Sequence, residues 1–265
     1  MTKDITIGQY IPGNSFVHRA DPRTKILLVI LYMAVTFMAF SYTAFLMLAL
    51  FTIVAVIASD IPLGYTIKGL KPVLFIVLFT AAVNLFTVSG TPVFELWFLK
   101  ITREGIELSI KMALRLTLLI MGASLLTYTT TPIALTDGIE KLLKPTERLG
   151  VPVHEIAMMM AIALRFIPTI LEETEKIIKA QSSRGADFDT GNIMQKAKSF
   201  IPVLVPLFIS AFRRADDLAT AMEARCYRGS KGRTRMKQLK FTAADIVVSS
   251  VMLIFSAILL IVEFM

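Results

Sequence analysis

Two tripeptides set an arginine between small residues, Ser183-Arg184-Gly185 and Ala224-Arg225-Cys226. A guanidinium carries its donors in a rigid fork that matches a carboxylate through two parallel bonds, and small neighbours leave it uncovered. Such a residue can plug an acidic groove on another protein. It can also be a cation favoured by about 0.3–1 kcal/mol at a helix C-terminus. The recurrence of the tripeptide favours the contact. Other chemistry is missing: the sequence holds no G-x-x-x-x-G-K-[ST] phosphate loop, no H-E-x-x-H and no serine or cysteine in a nucleophile motif. The one cysteine, Cys226, excludes an internal disulfide, and neither it nor His18 and His154 forms a ligand cluster at metal spacing.

Each arginine closes a helical pattern. Ile170, Thr174, Ile177 and Gln181 advance by fours and threes, and the next step is Arg184. Ile201, Leu204, Phe208, Ala211, Ala215, Leu218 and Met222 make a heptad-like seam suited to another helix, whose next step is Arg225; Arg213, Arg214, Asp216 and Asp217 point elsewhere. Phe166-Ile167-Pro168 precedes the first arginine much as Phe200-Ile201-Pro202 precedes the second, so the second helix reads as the first lengthened by two turns. Prolines at 132, 145, 152, 168, 202 and 206 cut this region into pieces, the first a short amphipathic helix over 132–144 and the second a helix from His154 to Ser183 that changes character along its length. Ile156 to Leu164 is uncharged and is interrupted soon after by Arg165 and Pro168, which places it in or near a membrane interface. That stretch and 200–212 are either the core of this region or an apolar platform for a partner. Met158, Met159 and Met160, with Leu204 and Phe208, are the candidate platform residues, because methionine-rich surfaces adapt to several partners.

The rest of the chain is membrane. Of its 265 residues 55% are hydrophobic and the mean hydropathy is +0.68, which excludes an ordinary soluble domain. A span needs about 20 apolar residues. The uncharged run from Ile26 to Ser59 is too long for one helix and breaks at Ser41-Tyr42-Thr43 into two spans. Further spans are expected over 72–88, 112–130 and 246–262. Basic residues crowd the N-terminus (Lys3, Arg19, Arg23, Lys25), the second connection (Lys68, Lys71) and the region 131–241. The expectation is therefore an all-α, polytopic membrane protein with about five transmembrane helices. A four-helix membrane domain over 1–130 leads to a cytoplasmic helical domain over 131–241 and a last helix over 242–265, with the N-terminus inside and the C-terminus outside.

The segments HRADPRTKILL, QSSRGADFD and AMEARCYRG resemble the transmembrane T component of energy-coupling factor (ECF) transporters, with its cobalt-transport relatives. The resemblance covers essentially the whole chain, and the paired X-Arg-X motifs are its most specific part. It implies coupling helices whose motif arginines, here Arg184 and Arg225, dock into grooves on two ATP-binding-cassette subunits. It also implies a membrane S component, alternating or fixed, that binds a vitamin or metal ion, and a chain that is not itself an enzyme and holds no cofactor, ATP and magnesium being bound by the partners. The family motif most often reads Ala-Arg-Gly; Ser183 and Cys226 are the departures.

The alternatives are a stand-alone carrier or an intramembrane enzyme, either of which would carry ionisable groups within its spans. Only Arg115 qualifies, and it is expected to snorkel to the outer interface. Asn84 reads as a helix-helix hydrogen bond. The basic residues Arg228, Lys231, Arg233, Arg235, Lys237 and Lys240 precede the last span and suit lipid headgroups; no nucleic-acid partner is expected, since no aromatic residue interleaves with them before Phe241. Asp21-Pro22-Arg23 reads as a helix-start turn.

Overall fold

The structure is a computed structural model that describes residues 10–96, 99–188, 192–229 and 239–264. Among these the chain is almost wholly helical. In order come α1 (Phe16–Arg19), α2 (Pro22–Met38), α3 (Tyr42–Ala58), α4 (Leu63–Thr87), β1 (Pro92–Leu96), β2 (Leu99–Thr102), α5 (Arg103–Thr129) and α6 (Pro132–Leu143). A 3-10 turn (Lys144–Leu149) precedes α7 (Val153–Ser183), α8 (Ile193–Ser199), α9 (Ile201–Ala224) and α10 (Ala243–Phe264). The chain forms two compact units, one of Gly8–Lys141 with Gln238–Met265, the other containing Leu142–Lys237.

In the first unit, α2, α3, α5 and α10 share a core of Tyr32, Val35, Ala39, Ala44, Phe45, Leu48, Leu118, Met252 and Leu259. The long uncharged run breaks where its polar residues fall: α2 ends at Met38, and Ser41 caps α3 by accepting from Ala44 N at 3.2 Å. The Tyr32 ring lies so close to α5 that a Cβ at residue 122 would overlap it, which accounts for Gly122. Its hydroxyl shares a hydrogen bond with Thr52 Oγ1 (2.8 Å) and donates to Leu118 O (3.2 Å), tying three helices. Among the described residues, three helices are long and apolar enough to cross a membrane, α5, α7 and α10. A fourth candidate is α4, which bends by 55° between Lys71 and Val73, where Pro72 removes a backbone donor. The helices α2 and α3 have 17 residues each, α3 being uncharged throughout.

Three features differ from expectation. The antiparallel hairpin β1–β2 fills the third connection, with Glu95 opposite Lys100. Helix α7 runs for 31 residues through Pro168, as the piece expected over 154–183 does, because one internal proline removes only one ladder bond. The Phe-Ile-Pro triplets therefore sit differently, one inside α7 and one opening α9, and the first helix is the longer. Finally, α6 makes its close approach to α2 at Gly138, beside Pro22 and Ile26, and not through Ile139, which is exposed.

Candidate functional site

The two arginine tripeptides end their helices in the same way. Arg184 is the C-cap of α7 and Arg225 the C-cap of α9. After α7, Gly185 N donates to Ser182 O and Ala186 N to Gln181 O, both at 3.0 Å. After α9, Cys226 N donates to Glu223 O at 2.8 Å and Tyr227 N to Met222 O at 3.0 Å. Each pair links the residues at C′ and C″ to the carbonyls at C2 and C3, the Schellman closure, which requires a left-handed residue at C′. Gly185 (φ 87) and Cys226 (φ 56) are those residues. The glycine of the motif thus has a backbone reason, and Cys226 holds the same turn at the steric cost of its Cβ.

This cap fixes the direction of the arginine while using its carbonyl-end neighbours, not its side chain. Both guanidiniums are exposed, and among the described residues neither has a hydrogen-bond or ion-pair partner. The helices that carry them run antiparallel: Gln181 Nε2 donates to Pro202 O at 3.4 Å near the end of α7 and the start of α9, and Glu173 meets Ser210 and Arg214 further along. Phe188, just past the first motif, stacks at a tilt on Phe200, with 5.3 Å between ring centres. Arg184 lies eleven residues beyond Glu173, and Arg225 fifteen beyond Ser210, so the two ends project about 16 Å and about 22 Å in opposed senses from this contact.

The packing face of α9 keeps Ala211, Leu218 and Met222 of the expected seam and departs from it at Ile201, Leu204, Phe208 and Ala215. Leu204 and Phe208 are 45% and 61% exposed, whereas Val203 is 2% exposed and Leu207, Ser210, Arg214, Leu218 and Met222 are partly covered. Arg214, expected to point away, donates to Glu173 Oε2 at 2.8 Å. An apolar helix offers two adjacent stripes with steps of three and four, and this ion pair selects between them. Of the candidate platform residues, Met159 is exposed with Leu204 and Phe208, while Met158 and Met160 are half-buried. Of the basic segment before α10, Lys231, Arg233, Arg235 and Lys237 lie outside the described residues.

Ionisable groups in the first unit behave oppositely. Asp245, 3% exposed at the start of α10, accepts from Asp21 N and Thr242 N at 2.6 Å each and from Thr242 Oγ1 at 2.9 Å. Asp21 is the N-cap of α2 and pairs with Arg23, whose guanidinium lies 4.3 Å from the Phe241 ring centre. Lys25 Nζ donates to His18 O, Thr129 O and Thr130 Oγ1 at 3.0–3.2 Å. The helix-start turn at Asp21-Pro22-Arg23 is therefore also a knot joining α2, α5 and α10. At the other end of α2, Arg115 donates to the C-cap carbonyl of Ala39 and lies over Phe40 and Phe45. That is a strap across a helix C-terminus, a partner the sequence reading did not name. Glu263 accepts from Phe40 N and Ser41 N at 3.1 Å and from Ser41 Oγ at 2.9 Å, capping α3 from the last helix. The sequence reading missed Asp245 and Glu263; an acid inside an otherwise apolar helix was the available signal.

Among the described residues, an almost wholly helical, strongly apolar fold with several helices able to cross a membrane defines a membrane-embedded component. Residues 13–236 match the cobalt transport protein family, CbiQ. The energy-coupling factor transporter transmembrane protein EcfT of Ruminiclostridium cellulolyticum is 63% identical over 264 residues, covering 100% of this chain and 99% of its own. The proteins of the same description from Clostridium kluyveri and Bacillus subtilis are 56% and 46% identical, over 94% and 98% of this chain and 93% and 98% of theirs. The chain belongs to this family of transporter transmembrane components.

Proposed function

We propose that this chain is the scaffold and transmission subunit of an energy-coupling factor importer. Its helices α7 and α9 couple two partner ATPases, which bind the ATP and magnesium, to a substrate-binding membrane S component that takes up a vitamin or metal ion. Five helices, α2, α3, α4, α5 and α10, span the membrane, with the N-terminus and the α7–α9 region in the cytoplasm and the C-terminus outside. Arg184 and Arg225, flanked by Ser183, Gly185, Ala224 and Cys226, enter the two ATPase grooves. The exposed apolar residues Met159, Leu204 and Phe208, with Met158 and Met160, form the platform met by the S component, and the basic segment before α10 meets anionic headgroups.

The observation that carries this reading is the pair of matched helix ends: the same Schellman closure, the same free guanidinium, at opposed ends of an antiparallel pair. A single partner groove does not accommodate two ends that project in opposite senses; two partners do. A carrier reading loses its one candidate, because Arg115 is engaged with a helix end and two rings. Losing one side of a buried interfacial charge pair costs about 2–5 kcal/mol. Arg184→Glu with Arg225→Glu should thus release both ATPases from a protein that still inserts, and abolish ATP-driven uptake. Retention of both ATPases and of uptake by that variant would refute the assignment.

A further inference from the structure

The contact between α7 and α9 contains a polar group that belongs to neither arginine end. Ser210 Oγ donates to Glu173 Oε1, Arg214 Nη2 donates to Glu173 Oε2 at 2.8 Å, and Arg214 Nε donates to Ser210 Oγ at 3.5 Å. The three side chains close a ring in which one carboxylate oxygen takes the hydroxyl and the other takes the guanidinium. All three are partly covered, with the Glu173 and Arg214 side chains 25% and 36% exposed. On α9 the ring interrupts a mostly apolar face, and the other polar link between the helices, Gln181 Nε2 to Pro202 O at 3.4 Å, lies eight residues away along each of them. Along α9 the covered positions on either side are apolar, Val203 and Leu207 before it and Leu218 and Met222 after it. Apolar stripes of this kind fit a neighbour almost equally well when shifted by a turn, and a single polar level is the device that fixes register between such helices.

The geometry separates two motions. A slip of one helix by a turn, about 5.4 Å, would break both bonds to Glu173, the two that cross between the helices, and separate a carboxylate from a guanidinium in a half-covered contact. A change of crossing angle about the same point leaves the ring closed, because its atoms lie at the centre of the motion while Arg184 and Arg225 lie at the far ends. We infer that Glu173, Ser210 and Arg214 are the pivot of the α7–α9 pair: positioning residues that forbid sliding and permit scissoring, so that displacement of the arginine ends is delivered as a change of angle. This rests on the proposed role of α7 and α9 as the transmission pair, and it assigns to the crossing a function distinct from docking.

The test uses the full complex purified with its ATPases and S component and reconstituted in liposomes, with uptake per ATP hydrolysed as the readout. Glu173→Gln and Arg214→Gln should each keep both ATPases bound and hydrolysis running while uptake per ATP falls by about fivefold or more, the scale of a lost coupling between contacting residues. Arg214→Lys, which keeps the charge and loses the fork, should fall between these and the wild type. The exchange Glu173→Arg with Arg214→Glu should recover most of the lost ratio, which a residue that merely fills space would not do. Unchanged uptake per ATP in the single variants would overturn the pivot, as would loss of the ATPases or failure of the exchange to recover the ratio. If the Gln variants do not accumulate, Ser210→Ala, which removes one hydroxyl, reads the same ratio and should lower it by about twofold; an unchanged ratio overturns the proposal. Failure of the docking assignment is distinguishable, because it shows as ATPases retained by the Arg184 and Arg225 reversals whatever the pivot variants do.

Discussion

The charged residues of the first unit and those at the ends of α7 and α9 follow opposite rules. Asp21, Arg23, Lys25, Arg115, Asp245 and Glu263 each find partners within the chain, several of them across more than two hundred residues of sequence. Arg184 and Arg225 find none among the described residues, although each stands on a helix end closed by two backbone bonds. In an apolar setting an unpaired charge is expensive, so a charge that is kept there is paired. A charge left free on a rigid, exposed terminus costs the isolated chain little and is pre-organised for another protein. The first set holds the fold; the second is available for contact.

Substitutions can break this contrast. The largest effect on stability is expected at Asp245, where Asp245→Ala strands the backbone donors of Asp21 and Thr242 and removes acidic charge beside Lys25. Breaking a buried, hydrogen-bonded charge cluster costs about 3–5 kcal/mol, so the variant should lose most of its accumulation in membranes and melt well below the wild type in mild detergent. Next comes Gly122→Val, which forces the Tyr32 ring off its bonds to Thr52 and Leu118; overpacking of this kind costs about 1–3 kcal/mol, read by the same melting curve.

Smaller effects sharpen the other side. Cys226→Gly relieves a left-handed residue bearing a Cβ and should stabilise α9 by about 1 kcal/mol, seen as slower amide exchange at its last turn, while Gly185→Ala should do the reverse to α7. Smallest of all, Arg184→Ala and Arg225→Ala should leave the melting temperature of the isolated chain within the range of ordinary surface changes, about 0.5 kcal/mol. A large loss of stability in these would place the arginines with the fold-holding set and erase the distinction.

Much of this was legible before the structure, for reasons that are local. The break at Ser41-Tyr42-Thr43, the start of α9 at Phe200-Ile201-Pro202 and the helix ends at the two tripeptides all follow from capping residues and prolines, which act within a turn. Two matters were not. The face of α9 turned to α7 depends on Glu173, a residue 37 positions before Ser210, because Leu204 and Phe208 fit the periodicity as well as Val203 and Leu207 do. The carboxylates Asp245 and Glu263 act on Asp21 and Ser41, more than two hundred residues away, and only the fold brings them together. Local rules predicted the elements, and long-range pairing decided how they face one another.

The central claim is that the two arginine ends serve two separate partners. The measurement that tests it most directly is the mass of the intact complex, purified in mild detergent without nucleotide, for the wild type and for Arg184→Glu and Arg225→Glu taken singly. The account predicts two ATPase chains on the wild type and one on each single variant, with a different one lost in each case where the two ATPases differ in sequence. Two ATPases retained by both single variants, or both lost together from either one, would contradict it.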